Sequence, residues 1–515
     1  MPVPRFRAPR AAVASPHYLA SAAGLASLAR GGNAIDAAVA ASLTLGVVTP
    51  YFCGFGGDLL AIVWDGELHG YLGSGRSPAG VTLDAVRDRA GGDRMPVFGG
   101  DTVTVPGAVR GWFDLLARWG TRSFGELAAD ALAYARDGFE VTVGGGIAFD
   151  QARLMYEQFD DWKAVYGDAR VGSVLRQPAL ARLIELLATD GPDAYYRGRV
   201  ADAIAAAVQR AGGAMTRDDM AAYTAEWAAP LRARYRGSEI AELPPPTQGV
   251  TALEALRILD GSDLPAEPVG RQHVLIEAVK QALADRDQYV TDPAYMPFLA
   301  HDLLADEWVD ARRAAIRFDA SSTPRPGVLQ PGGTAYMCAA DGDGLLVSLI
   351  QSNFVHCGSG VHVPEWGINL NNRGFSFSLE PGRANVLAPH KRPMHTLIPA
   401  MVLRDGAPWL VFGSMGGDAQ AGVHLQVLPR IIDDGDDPAN AIAAPRWRVD
   451  PGTWRVHAEK RFGAAIVDGL RALGHDVDRA PAYDSQMGHA HAILRTGGGY
   501  GVTSDPRSEG AALGL

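Results

Sequence analysis

The run from Asn33 to Val48 restricts the fold more than any other stretch. It opens on an Asn after the pair Gly31-Gly32 and carries apolar residues on most sides of a helix until Pro50 stops it. Such a helix has no polar face to offer water, so the chain must cover it from more than one direction. Soon after Pro50 and the turn Gly54-Phe55-Gly56-Gly57 comes an apolar strand over 59–64, which an Asp65-Gly66 hairpin joins to a second over 68–72. Buried helix and sheet are therefore neighbours from the start. A further helix is expected over 21–30, closed by the two glycines.

Beyond this point the chain alternates between helical and extended blocks. Residues 123–258 are mostly helical in pattern, with an Ala-rich amphipathic run at 201–209 and turns at Gly191-Pro192, Gly212-Gly213 and Pro244-Pro245-Pro246. Another helix is expected over 273–288. Residues 320–333, rich in Ser, Pro and Gly, read as a mobile linker. Strands follow over 335–340, 345–350, 396–403 and 409–412, then a helix over 420–432 and mixed elements from 462 onward. No fixed repeat or low-complexity tract is present. Periodicity alone supports a mixed α/β class.

At 515 residues, 47% hydrophobic and 20% charged, the chain can bury one extended core or two coupled ones. Its net charge of −11 argues against nucleic acid or an anionic membrane as partner, and a small-molecule substrate fits better. The longest apolar run, 37–48, is too short to span a bilayer. Cys53, Cys338 and Cys357 are too few and scattered for a disulfide framework, and 11–29 has no secretory apolar core, so a cytoplasmic location is expected.

The stretch that carries chemistry is Gly332-Gly333-Thr334, followed by two apolar runs around Asp341-Gly342-Asp343-Gly344. From spacing alone it is an ordinary β-hairpin after a Pro-Gly linker. The small glycines also leave the Gly333 carbonyl open to the Thr334 hydroxyl. Cleavage there would give Thr334 a free α-amino group, a base for its own Oγ with a reference pKa near 8. The hairpin then returns Ser352 toward Thr334.

These residues resemble the start of the small subunit in the gamma-glutamyltransferase family of N-terminal nucleophile hydrolases, and the resemblance covers nearly the whole chain. Gly31 to Ala40 is similar to the family's long-helix signature and Gly54 to Asp58 to its glycine turn. Val105-Pro106-Gly107, Pro244 to Gly249 and Glu277-Ala278 through Ala284-Asp285-Arg286 follow in the family's order. After Thr334 come Leu370-Asn371-Asn372, Lys391-Arg392-Pro393, Gly413 to Gly417 and Ser504 to Arg507.

The resemblance implies a four-layer αββα sandwich and self-cleavage between Gly333 and Thr334 into segments 1–333 and 334–515 that form one composite unit. It further implies Thr334 as nucleophile, Ser352 orienting it, Gly416 and Gly417 as the oxyanion hole, Asn353 near the substrate in a loop over 352–360, and Asn372 and Arg373 near the substrate as well. A gamma-glutamyl or similar amide would be cleaved, with water or an amine as acceptor; an acylase on a dicarboxylic side chain, or an uncleaved binding protein, are the alternatives. No cofactor is expected, and a homo-oligomer is compatible with the family.

Departures fall on the substrate side. Typical members hold the glutamyl ammonium with an acidic pair where this chain has Phe375 and Ser376, and its carboxylate with two serines where this chain has His395 and Thr396. The family's carboxylate-binding Arg falls on Ser74, with Arg76 two positions away as a substitute clamp. Amidohydrolase activity with weak or altered gamma-glutamyl specificity is therefore expected. Other constellations are set aside. His356 and Cys357 are adjacent and point to opposite faces. His356, His362, His390, His395, His489 and His491 lack a carboxylate or Cys partner at a metal-binding spacing, and Gly497-Gly498-Gly499 lacks a phosphate-loop Lys and reads as a turn.

Overall fold

The computed structural model describes residues 6–325, 327, 329–330 and 332–515. The apolar helix forms over Ala34–Val48 with every residue buried. Asn33 and Asp36 close its N-terminus as a capping box. A second cap arrives from far along the chain, because Asp341 Oδ2 accepts the Ala34 N–H at 2.9 Å while its Oδ1 accepts the N–H groups of Asp343 and Leu345. One carboxylate thus shapes the turn of the hairpin and pins it to the buried helix.

The hairpin consists of Gly333–Ala340 and Leu346–Phe354, antiparallel and fully buried. It lies inside a seven-stranded sheet in the order Ala511–Gly514, Ala12–Ser15, Gly333–Ala340, Leu346–Phe354, Asp58–Trp64, Leu68–Gly73, Glu226–Ala228. Strands from both sides of Gly333 therefore share one sheet. A second seven-stranded sheet holds Phe6–Ala8, Gly499–Ser504, Ala490–Thr496, Ala407–Ser414, Ala400–Arg404, Ser238–Glu242 and Leu231–Tyr235. All neighbours in both sheets are antiparallel.

Side-chain alternation sorts these strands into layers. Leu60, Ile62, Tyr336, Cys338 and Ile350 face Leu397, Met401, Val411 and Ile493 between the sheets. Ala61, Val63, Met337, Val347 and Leu349 face outward onto Ala34–Val48 and its neighbouring helices. On the far side, Val402, Leu410 and Phe412 pack under Gly249–Asp260, Pro268–Tyr289 and Ala419–Ile432. The order is helix, sheet, sheet, helix, the αββα sandwich. Among the described residues no helix is long and apolar enough to cross a membrane.

Two expectations need correction. The strand expected over 345–350 continues to Phe354, so Asn353 is strand rather than loop. The linker expected to be mobile is fastened along much of its length, with Pro326, Val328 and Pro331 lying outside the described residues. Lys280 Nζ bonds the Ser321 hydroxyl at 2.7 Å and the Ser322 carbonyl at 3.1 Å, and Glu277 accepts the Ser322 N–H. Further along, Trp454 Nε1 donates to Pro324 O and Gly327 N to Pro451 O. Ser, Pro and Gly composition signals an absence of helix and strand, but it does not reveal what a buried Lys-Glu pair elsewhere will hold.

Candidate active site

Thr334 lies at the end of its strand, facing into the space between the sheets and fully buried. The register here is irregular. Gly333 pairs with Phe354 but Ala335 with Gln351, so Ser352 and Asn353 together oppose Thr334 as a bulge. Phe354 takes φ +81°, a strained backbone for an aromatic residue. Alternation along the strand, shared with Leu346 and Ile350, turns Ser352 inward. Its hydroxyl accepts from Thr334 Oγ1 at 3.1 Å and from the Phe354 N–H at 2.8 Å, and donates to the Gly333 carbonyl at 2.6 Å. One serine therefore orients the Thr334 hydroxyl and polarises the carbonyl next to it.

The glycine turn after Ala407–Ser414 approaches the same bond. A Cβ on Gly332 would stand 2.8 Å from both N and Cα of Gly417, so these two backbones are in direct contact. Gly416 and Gly417 have φ +139° and +57°. Among the described residues neither N–H has an acceptor, and the pair heads the helix Ala419–Ile432. Free N–H groups at a helix N-terminus favour negative charge. Gln248, from the Pro-Pro-Pro-Thr-Gln-Gly stretch, braces the turn by donating to the carbonyls of both Gly417 (2.9 Å) and Thr396 (2.8 Å). Gln330 of the linker is also held here, with its N–H on Asp418 Oδ2, its carbonyl accepting the Asp418 N–H and its side-chain oxygen accepting from Ser376 Oγ.

Beside Thr334 and Ser352 lies a cluster of buried charge. Asp58 pairs in register with Ser352. His395 Nδ1 accepts the Leu397 N–H, which leaves Nε2–H to donate to Asp58 Oδ2 at 3.0 Å. Burial, with Arg373 adding to it, pulls His395 down to about 4, so it is neutral at physiological pH. Arg373 Nε is 3.7 Å from Asp58 Oδ2, Nη1 donates to Thr396 Oγ1 at 3.1 Å, and the guanidinium carbon sits 3.8 Å from the centroid of the Phe354 ring. Burial draws the Arg373 guanidinium down to about 9, opposed by Asp58. All four residues are fully buried.

Several expected substrate contacts are used structurally. The Asn353 side chain lies on the opposite face from Ser352, against the turn Gly54–Gly57, with Nδ2 toward Pro50 O. Asn372 Oδ1 accepts the Val355 N–H and Nδ2 donates to Val97 O, so both ends of its amide are occupied. Arg76, expected as a carboxylate clamp, instead bonds Asp292 and the His390 carbonyl with its side chain 45% exposed, and the guanidinium beside Asp58 and Phe354 is that of Arg373. Asp58, Gln248 and Gln330 were not singled out as site residues. For Asp58 and Gln248 the available signal was their place at the end of Gly-Phe-Gly-Gly-Asp and inside Pro-Pro-Pro-Thr-Gln-Gly.

A cavity of about 670 Å³ opens from Gly332, Gly333 and Gly416, walled by Tyr51, Phe52, Ile147, Met415 and Tyr483, with Glu509 and His489 as polar groups. His356 lines it next to Gly333, while Cys357 is buried with its thiol pushed up to about 12, which removes it as a nucleophile. A different trio, His273, Glu277 and His475, comes within metal-binding reach. Lys280 Nζ donates into it, to Glu277 at 3.0 Å and His475 Nδ1 at 3.3 Å, and His475 in turn is 2.7 Å from His273 Nδ1. An ammonium already occupies the place of a cation, and the cluster serves to anchor the linker.

Comparison with known proteins agrees with this geometry. The gamma-glutamyltranspeptidase family matches residues 20–515. The chain is 37% identical to the glutathione hydrolase-like YwrD proenzyme of Bacillus subtilis (strain 168) over 98% of each chain. It is 37% identical to the oxamate amidohydrolase proenzyme of Klebsiella pneumoniae over 97% of each. The crystal structure of cephalosporin acylase from Bacillus halodurans superposes with a TM-score of 0.95 at 36% identity, covering 99% of this chain and 97% of that one. With near-complete coverage and an αββα sandwich of the N-terminal nucleophile hydrolase type, the chain belongs to the gamma-glutamyltranspeptidase family and is an enzyme of its amide-cleaving, hydrolase and acylase kind.

Proposed function

We propose that this protein cleaves itself between Gly333 and Thr334 and then hydrolyses a small-molecule amide through an acyl ester on Thr334. The observation that carries the reading is the Ser352 hydroxyl, which bonds both Thr334 Oγ1 and the Gly333 carbonyl. In the first reaction Oγ1 adds to the Gly333 carbonyl carbon, the Thr334 nitrogen leaves with a proton, and an ester joins Gly333 to the side chain. Water then releases a Gly333 carboxylate and a Thr334 with a free α-amino group. In the second reaction that amine takes the Oγ1 proton as the hydroxyl attacks the substrate amide, passes it to the leaving amine, and finally activates the water that frees the acid. The N–H groups of Gly416 and Gly417 hold the oxyanion in each tetrahedral intermediate.

Cleavage also frees the site. Gln330 occupies Ser376 and Asp418 in the uncut chain, and separation of the linker end from Thr334 lets both be vacated. The acyl group is not a standard gamma-glutamyl, because Phe375 and Ser376 supply no carboxylate for its ammonium. The amine part has the open cavity beside Gly333 to occupy.

Denaturing intact mass spectrometry of the wild type beside Thr334→Ala tests this. Two species matching 1–333 and 334–515, replaced by a single full-length chain in the variant, are expected. A single full-length wild-type species would return the protein to the uncleaved, ligand-binding alternative.

A further inference from the structure

The cavity of about 670 Å³ beside Gly333 has polar groups in its wall, but most of them are already engaged with the protein. The Glu509 carboxylate accepts from the Thr142 hydroxyl and the Gly144 N–H. Asp418 forms an ion pair with Arg286, Asp484 Oδ1 accepts the Gln486 N–H, and the Gln486 side chain accepts from Arg448. Among the described residues, His489 Nδ1 and Arg448 Nε are the buried wall atoms left without a partner. The rest of what the wall offers is apolar and aromatic.

Tyr483 stands out in that wall by how it is held. Its φ is +54°, a backbone conformation unfavourable for a bulky residue, which persists only where the surroundings over-determine it. Glu459 does so here. This fully buried carboxylate accepts the Asp484 N–H at 3.1 Å and the Arg461 guanidinium at 2.6 Å, and the Arg461 guanidinium carbon lies 3.7 Å from the centroid of the Tyr483 ring. Carbonyls of Ala443 and Ala444 fix Arg461 in turn. With one face so supported, the ring still lines the cavity and stays 39% exposed. Its loop also touches the reacting end, since a Cβ on Gly488 would lie 2.4 Å from Met415 O and one on Gly416 would lie 3.5 Å from Gly488 Cα.

We propose that Tyr483 is a specificity-determining residue for the amine half of the substrate, stacking on a flat aromatic amine, so that the enzyme favours N-aryl amides over primary amides that release ammonia. The inference rests on Thr334 being the nucleophile and on the amine departing through this cavity. A neutral aromatic amine packs on an aromatic wall by offset or edge-to-face contact. An aliphatic amine, protonated at neutral pH, finds the wall carboxylates already engaged and the Arg461 charge behind the ring. Ammonia leaves the apolar wall unused.

The test joins binding to turnover. 7-Amino-4-methylcoumarin, a fluorescent aromatic amine, is titrated into the purified protein with butylamine as competitor. Wild type is expected to bind the coumarin without displacement by butylamine. Tyr483→Asn, which suits the backbone angle but removes the ring, weakens binding about 10-fold, and Tyr483→Phe retains it. An unfolding midpoint of Tyr483→Asn at or above that of wild type shows that folding is not what was lost. On cleaved enzyme, the anilides and primary amides of glutaric acid and of the glutamate side chain are compared by KM, because aniline is the better leaving group on any enzyme. KM for the anilide is expected about 10-fold below that for the amide, and Tyr483→Asn removes most of the difference by raising KM for the anilide. Where neither acid is accepted, the binding arm decides alone. No coumarin binding, binding unchanged in Tyr483→Asn, displacement by butylamine, or equal KM values overturn the proposal and leave the nucleophile standing. Coumarin binding that depends on Tyr483 in a chain that never cleaves would overturn the nucleophile reading and leave the stacking site standing.

Discussion

The corner around Thr334 and the corner around Arg373 meet at Ser352, at the same end of the inter-sheet space, yet they are built by opposite means. Around Thr334 every group is neutral, the contacts run within one hairpin, and the hydroxyls of Thr334 and Ser352 are satisfied. Around Arg373 the charged or titratable groups Asp58, Arg373 and His395 come from three separate segments, and leave Arg373 Nε, Arg373 Nη2 and Asp58 Oδ1 without a hydrogen-bond partner among the described residues. The contrast separates what a hairpin assembles for itself from what distant segments must supply. A satisfied hydroxyl pair can act on any carbonyl placed beside it, whereas a buried charge is held only by the partners that the fold brings to it.

The largest expected effect breaks the neutral side. Ser352→Ala removes the donor on the Gly333 carbonyl and the partner of Thr334 Oγ1, so self-cleavage and turnover should each slow by about 100-fold to 1000-fold, read by intact mass over time and by kcat. A rise in KM alone, with cleavage at the wild-type rate, would move Ser352 from the reaction to substrate binding. Next, Asp58→Asn removes the ion-pair partner that Arg373 has among the described residues. A loss of about 3 kcal/mol in unfolding free energy is expected from denaturant titration, and an unchanged midpoint would show that Asp58 does not hold Arg373 in place.

A smaller effect comes from the buried neutral histidines, His395 and His489, each drawn from 6.5 to about 4 by burial. The unfolded chain binds their protons near pH 6.5 and the folded chain only near 4. Unfolding therefore takes up protons in that window, and stability falls as pH drops through it. Thermal unfolding should show a midpoint several degrees lower at pH 5 than at pH 7.5, and equal midpoints would place these rings in water. The smallest effect sharpens the assignment of charge. Arg76→Ala breaks a half-exposed pair with Asp292, so stability should change by less than about 1 kcal/mol and KM not at all. A rise in KM would give Arg76 a share in substrate binding.

Much of the neutral side was legible in the sequence, because hairpin connectivity places residues 334 and 352 together whatever the rest of the chain does. Glycines before a Thr, an Asp-Gly turn and a Ser one hairpin later are local signals. The glycine turn was singled out by the resemblance, and Gly416 and Gly417 adopt backbone angles that side chains resist. Asn353 was misplaced because pairing with the distant strand Asp58–Trp64, which no local pattern announced, continues as far as Ser352 and the strand ends only at Phe354. Arg76 was favoured over Arg373 as the carboxylate clamp because it lay close, by chain position, to the family's carboxylate residue.

By itself, then, the sequence determined a mixed α/β class and the hairpin that brings residues 334 and 352 together, while the four layers and the roles of the site residues came from its resemblance to a family. Apolar periodicity fixes which faces are buried, and short-range geometry fixes what a hairpin brings together. Only the tertiary structure decided which guanidinium stands beside Asp58, whether the linker is loose or fastened, and which amides are free. Those depend on burial and on partners hundreds of residues away, such as Asp58 for His395 and Asp418 for Gln330, and a buried charge takes its character from whatever the fold leaves within hydrogen-bonding reach.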